Sequence, residues 1–178
     1  MASTYLKLDG VTGPVDASGS TAVPGGQANG FSLAGVFDVE YSVTSVSGAS
    51  SIFGGTGGGA GVKPVPSEMQ LVMSGTVRDP DIWLAAAKAT VFPRGCVIVA
   101  ASATGGVAQE WVRAYYVMRN VMITSYRTVT DDGASVFHEV GLSYNALFSA
   151  YFATPSGGVL GARTQQGWDF VSNSNYTP

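Results

Sequence analysis

Apolar and polar residues alternate with a period of two along much of this chain, the spacing of strands that bury one face. In Tyr5-Leu6-Lys7-Leu8-Asp9 the leucines alternate with polar or amphipathic residues. Val36–Val43 sets Phe37, Val39, Tyr41 and Val43 on one face and Asp38, Glu40 and Ser42 on the other. Met69–Met73 and Cys96–Ala100 are shorter segments of the same kind. Met118–Ser125 runs without interruption toward a polar tight turn at Asp131-Asp132-Gly133. From Val136 to Phe152 the even-numbered residues, His138 apart, are apolar and predict one long strand with a single buried side. Phe137, Leu147 and Tyr151 interrupt the opposite, more polar side.

One segment breaks the pattern. Asp79-Pro80-Asp81-Ile82-Trp83-Leu84-Ala85-Ala86-Ala87-Lys88-Ala89-Thr90 predicts a helix, with Asp79 as N-cap and Pro80 at the first helical position. Asp81 in the first turn and Lys88 near the end both suit the helix dipole. Trp83, Leu84 and Ala87 form the face expected to pack on the strands, with Pro93 and Gly95 as the stop. One helix among about six to eight strands indicates a mainly β sandwich or barrel flanked by a helix.

Glycine organises what lies between. The 24 glycines concentrate in Gly13–Gly30, read as a long loop, and in Ser45–Pro66, which contains Gly54-Gly55-Thr56-Gly57-Gly58-Gly59-Ala60-Gly61. Neither stretch repeats the other. At 178 residues the chain is expected to form a single domain, residues 1–178, large enough to bury a core. No apolar run approaches the roughly 18 residues of a membrane helix. The start, Met1 to Lys7, lacks a basic region followed by an apolar run, so no cleaved signal peptide is expected.

Charge narrows the partners. A net charge of −3, with 9 basic residues scattered singly, disfavours a nucleic-acid surface. Charged residues make up only 12%, against about 25% in an average domain. So neutral a surface is expected to be covered in part by copies of itself.

The residues that could carry chemistry are few. Cys96 is the one cysteine and His138 the one histidine. Cys96 reads as a small core hydrophobe, and His138 as a core histidine with one hydrogen bond. Together they cannot make a structural zinc site without carboxylates from scattered loops, and Cys96 is placed mid-strand, not on a small-residue nucleophile elbow. The glycine run is not a phosphate loop, because Val62-Lys63-Pro64-Val65-Pro66 cannot open a helix there. Asp131-Asp132-Gly133 lacks the later ligands of a calcium loop. Asp38 and Glu40 form a carboxylate pair with nothing around them to motivate glycosidase chemistry. No catalytic residue, cofactor or metal is expected.

The order of these elements resembles the hemolysin-coregulated protein (Hcp) family, the tube proteins of the bacterial type VI secretion system. Tyr5–Gly13 is similar to the family's opening strand, Val36–Val43 to its second, and the glycine run falls at its extended loop. Asp79–Ala89 is similar to its single helix, and Met118–Ser125, Glu139–Tyr144 and Gly167–Asn173 to its last strands. Gly13–Gly30 is longer than the family pattern. The resemblance implies a small β-barrel of two sheets with one flanking helix, hexameric rings, and stacking of rings into a hollow tube. Expected partners are further copies of the chain, a contractile sheath, a VgrG-like spike, baseplate proteins and effectors carried in the lumen, with no nucleic acid and no membrane insertion. The subunit is expected in the bacterial cytoplasm before firing and outside the donor afterwards. No fused toxin domain is expected, since Pro178 follows soon after the closing segment. Ring stacking is assigned to Ser51, Ile52, Phe53, Gly54, Gly55, Gly57, Gly58 and Gly59, where glycine permits close backbone approach. Ile52 and Phe53 serve either as the apolar anchor on a neighbouring ring or as packing on their own barrel. Two rival readings are a phage tail-tube subunit and a carbohydrate-binding sandwich with Trp111, Tyr115, Tyr116 and Tyr151 as stacking platforms; a hydrolase lacks a convergent nucleophile and base.

Overall fold

The alternating segments pair into a closed ring of strands. The structure, a computed structural model, describes residues 2–18, 21–22, 32–43, 66–76, 79–102, 110–130, 135–153 and 163–178. β1 (Ala2–Leu8) lies between β4 (Ala34–Val43) and β6 (Val91–Ser102). β6 pairs with β7 (Glu110–Thr130), β7 with β8 (Val136–Ser143), β8 with β5 (Met69–Ser74), and β5 with β4, all antiparallel. The circuit therefore closes, and a closed barrel removes the edges an open sheet would expose. β9 (Ala146–Phe152), β10 (Arg163–Asp169) and β11 (Ser174–Asn175) extend the sheet outward from β7. Two short strands, β2 (Val15–Asp16) against β4 and β3 (Thr21–Ala22) parallel to β7, lie in the stretch expected to be one long loop.

Alternation along each strand fills two cores. Leu6, Leu8, Phe37, Val39, Leu71 and Met118 belong to the barrel interior. Tyr5, Val36, Cys96, Ile98, Val117 and Phe148 face the other way, under Ala17, Leu33 and Tyr176. A fully buried side chain of this size contributes about 1.5–3 kcal/mol, so both layers matter to stability. Pro93, expected to stop the helix, lies within β6, as does Gly95.

The long strand expected over Val136–Phe152 keeps its line but not its face. Met122 opposes Ser143 and Arg119 opposes Ala146, so β8 and β9 run end to end along one edge of β7. Asn120 adopts φ 51°, and the strand breaks at Tyr144 and Asn145 beside it. That left-handed residue inverts the pleat. Val140, Leu142 and Tyr144 therefore join the barrel interior, while Ala146, Phe148 and Ala150 join the second core.

The helix also corrects its expected orientation. α1 (Asp79–Ala87) buries Ile82 and Ala85, whereas Trp83 and Leu84 are 57% and 42% exposed and Ala87 is exposed too. Both faces are apolar, so periodicity alone could not choose between them. The choice is made at Asp79, the first helical residue. Its carboxylate does not act as an N-cap acceptor for the turn that follows. It accepts the backbone N–H and the hydroxyl of Thr76, behind it, and meets the His138 imidazole in β8. Held there, the helix presents Ile82 to the barrel. At the other end Ala89 takes φ 49°, with Ala89 N–H on the Ala86 carbonyl and Thr90 N–H on the Ala85 carbonyl. This is a Schellman stop built without glycine.

Candidate functional site

The expected ring-stacking residues, Ser51 to Gly59, lie outside the described residues, as does the Asp131-Asp132-Gly133 turn. What is described is the pair of strands that carries the glycine-rich connection. β4 ends at Val43 directly opposite Gln70 of β5, so the connection leaves and re-enters the barrel between two hydrogen-bonded neighbours.

The sole histidine is an anchor rather than a free base. His138 is 5% exposed, with Nε2 2.9 Å from Asp79 Oδ2 and Nδ1 3.2 Å from Thr128 Oγ1. Its ring stacks on Tyr126 at 5.0 Å. The carboxylate can only accept, so Nε2 carries a proton, and the Thr128 hydroxyl donates to a neutral Nδ1 or accepts from a charged ring. Two hydrogen bonds thus replace the one expected from sequence. Cys96 is fully buried in the second core, and burial pushes its thiol pKa up, away from the reactive thiolate. It belongs to the cluster beneath Tyr115 and Phe148, whereas His138 contacts α1 and β7, so the two do not form a pair.

The aromatic platform of the carbohydrate reading does not assemble. Tyr115 and Tyr116 are successive residues of β7 and point to opposite cores, both buried. Tyr115 stacks on Phe148 at 6.2 Å, while the Tyr116 and Tyr151 hydroxyls share a hydrogen bond of 2.8 Å. Tyr151 is half-exposed and Trp111 half-buried. Asp38 is exposed on β4. Among the described residues no group of three His, Cys, Asp or Glu side chains could hold a metal ion, and no helix is long and apolar enough to cross a membrane.

Two surfaces remain that suit assembly. The first is the outer edge of β10. Its inner edge pairs with β9 throughout, but its outer edge meets β11 only at Trp168 and Asp169. From Arg163 to Gln166 the residues are exposed, and no described strand covers their outer edge. A row of strand N–H and C=O groups of this kind is a template for another strand. The end of this edge is held by Asp169. Its carboxylate accepts the backbone N–H groups of Ser172 and Val171 and pairs with Arg119, whose guanidinium lies 5.4 Å from the Tyr176 ring centroid. Led by the Ser172 N–H bond, these contacts hold the Asp169 pKa at about 2. The Gly167 carbonyl accepts the Tyr176 N–H, at a site where an added Cβ would collide with the Tyr176 carbonyl. Of Gly167–Asn173, the closing segment similar to the family's last strands, only Gly167–Asp169 is strand; β10 ends at Asp169 and a turn follows. The second surface is the outward side of α1, with Trp83, Leu84 and Ala87.

No protein-family model matches the chain, and no curated protein matches it in sequence. Solved structures do. A type six secretion system protein superposes with a TM-score of 0.74 at 17% identity, covering 99% of this chain and 100% of that one. Hcp1 from Salmonella typhimurium gives 0.64 at 11% identity, again covering 99% and 100%. The secreted protein Hcp3 from Pseudomonas aeruginosa gives 0.57 at 10% identity over 94% and 96%. At these identities the likeness shows the fold: this chain has the Hcp fold.

Proposed function

We propose that this chain is a structural subunit of a type VI secretion tube, without catalytic activity. It forms hexameric rings that stack into a hollow tube, which a contractile sheath expels and which carries effectors in its lumen. The observation that supports this most is that the likeness to Hcp structures spans essentially the whole of both chains. The uncovered edge of β10 fits the assembly. A ring needs a heterologous contact whose rotation closes, and stacking needs a second contact along the axis. The connection from Val43 to Met69, with Ile52 and Phe53, serves the second. Sheath, spike and baseplate are the remaining partners, and the subunit passes from the cytoplasm to the exterior when the sheath shortens.

The test is secretion. In the host that makes it, the chain should accumulate in the medium of cells with an intact sheath and stay inside cells whose sheath gene is deleted. Release that is indifferent to the sheath would overturn the assignment.

A further inference from the structure

α1 is apolar on both sides, and a helix of that kind is normally covered on both. Here only Ile82, Ala85 and, in part, Ala86 are covered by the barrel. The other side carries two rows. Trp83 and Ala87 form one, four residues apart; Asp81, Leu84 and Lys88 form the other and line one groove, of about 470 Å³, against the Gly10–Thr12 turn. Each row is complementary to itself read backwards. Leu84 sits midway between an acid and a base, and Trp83, the largest side chain, lies one turn from Ala87, one of the smallest.

The geometry points to a two-fold contact between α1 helices of two copies of this chain, packed antiparallel. With the axis at Leu84, Leu84 meets Leu84 of the second copy, each Trp83 covers the other copy's Ala87, and each Asp81 approaches the other copy's Lys88. A parallel two-fold would cross the rows, setting Asp81 and Lys88 of one copy against Trp83 and Ala87 of the other, so the charges and volumes select the antiparallel one. Trp at the centre of a small apolar patch is also the residue type that dominates interface energies. A two-fold contact is isologous and differs from the heterologous contacts within a ring. It therefore joins protomers of different rings, or free protomers, and stands whether or not the tube assignment does. Nine helical residues span only about 13 Å, well short of the roughly 800 Å² per partner of a stable interface. Between single protomers the contact is transient; it gains hold where rings carry several copies together.

A residue on a two-fold axis is its own partner, so one introduced cysteine reads the contact directly. Antiparallel helices about 8–10 Å apart bring facing Cα atoms within disulfide reach. The full chain bearing Leu84→Cys should shift under mild oxidation from the protomer band to twice that mass, faster at higher concentration. Val171→Cys, an exposed control away from α1, should not, and fully buried Cys96 contributes no background. Adding Lys88→Asp to Leu84→Cys should slow the crosslink several-fold, and adding Asp81→Lys to that pair should restore it. Crosslinking no faster than the Val171→Cys control overturns the contact. Failure of the charge swap to restore it overturns the antiparallel register. In host extract, capture by Leu84→Cys of a chain of different mass instead of itself shows another protein on this face and also overturns the proposal.

Discussion

Exchanging which residue of α1 is truncated separates the observed helix orientation from the one its composition invites. Ile82 is 1% exposed and lies in the barrel core, and Trp83, its neighbour, is 57% exposed. Ile82→Ala removes three buried carbons. At about 0.8 kcal/mol per buried methylene the transfer loss is about 2.4 kcal/mol. The cavity left in the barrel raises the total to about 3–4 kcal/mol, within the usual span for such truncations. In a chain of this size, a loss of 1 kcal/mol lowers Tm by about 2–4 °C, so Ile82→Ala should melt roughly 6–16 °C below the parent. Trp83→Ala removes a larger side chain but little buried area, and should stay within about 0.5 kcal/mol of the parent. The assay is urea unfolding followed by circular dichroism at one low protein concentration, which keeps contacts between copies out of the reading. A larger loss for Trp83→Ala than for Ile82→Ala would refute the orientation, and with it the role of Asp79 and His138 in setting it.

Three further outcomes follow from particular residues. Ala89 holds a left-handed φ of 49° at the helix stop, so Ala89→Gly should stabilise the chain by about 0.5–1 kcal/mol, and Ala89→Val should destabilise it in the same urea assay. Asp169 titrates at about 2 in the fold against an ordinary value of 3.8. Because the folded value is depressed, its contribution is complete above the ordinary value and is lost as pH falls through the folded one. Asp169→Asn should therefore flatten the pH dependence of the urea midpoint in that acid window; an unchanged slope would contradict it. For the connection between β4 and β5, replacing Ile52 and Phe53 together by serine should shorten tubes while sparing rings, and unchanged tube length by electron microscopy would remove those residues from stacking.

Much of the architecture was legible in the chain, because strands with one buried face write a period of two, and β1, β4, β5 and the Cys96–Ala100 part of β6 keep it. Leu6 and Leu8 against Tyr5, or Phe37 and Val39 against Val36, are divided between the two cores as the alternation requires. Three features escaped. The inversion at Asn120 and Asn145 leaves the even-numbered pattern intact while changing which side of the sheet it faces, so the sequence reads as one strand with one buried side. The orientation of α1 depends on a carboxylate meeting an imidazole 59 residues away, a contact that no local pattern contains. The short strands β2 and β3 sit among glycine, serine and proline, whose loop signal exceeds that of two paired residues. The site was harder to read than the fold. An uncovered strand edge is a property of the assembled sheet, and Arg163–Gln166 looks no different in sequence from a polar strand in the middle of one.

A subunit of a secretion tube must build rings that stack. Native mass spectrometry of the purified full chain, with negative-stain imaging of the same fraction, tests it most directly. Masses at six protomers and its multiples, with closed rings or hollow tubes on the grid, are the predicted result. A protein that remains a protomer at high concentration, with no rings on the grid, would contradict it.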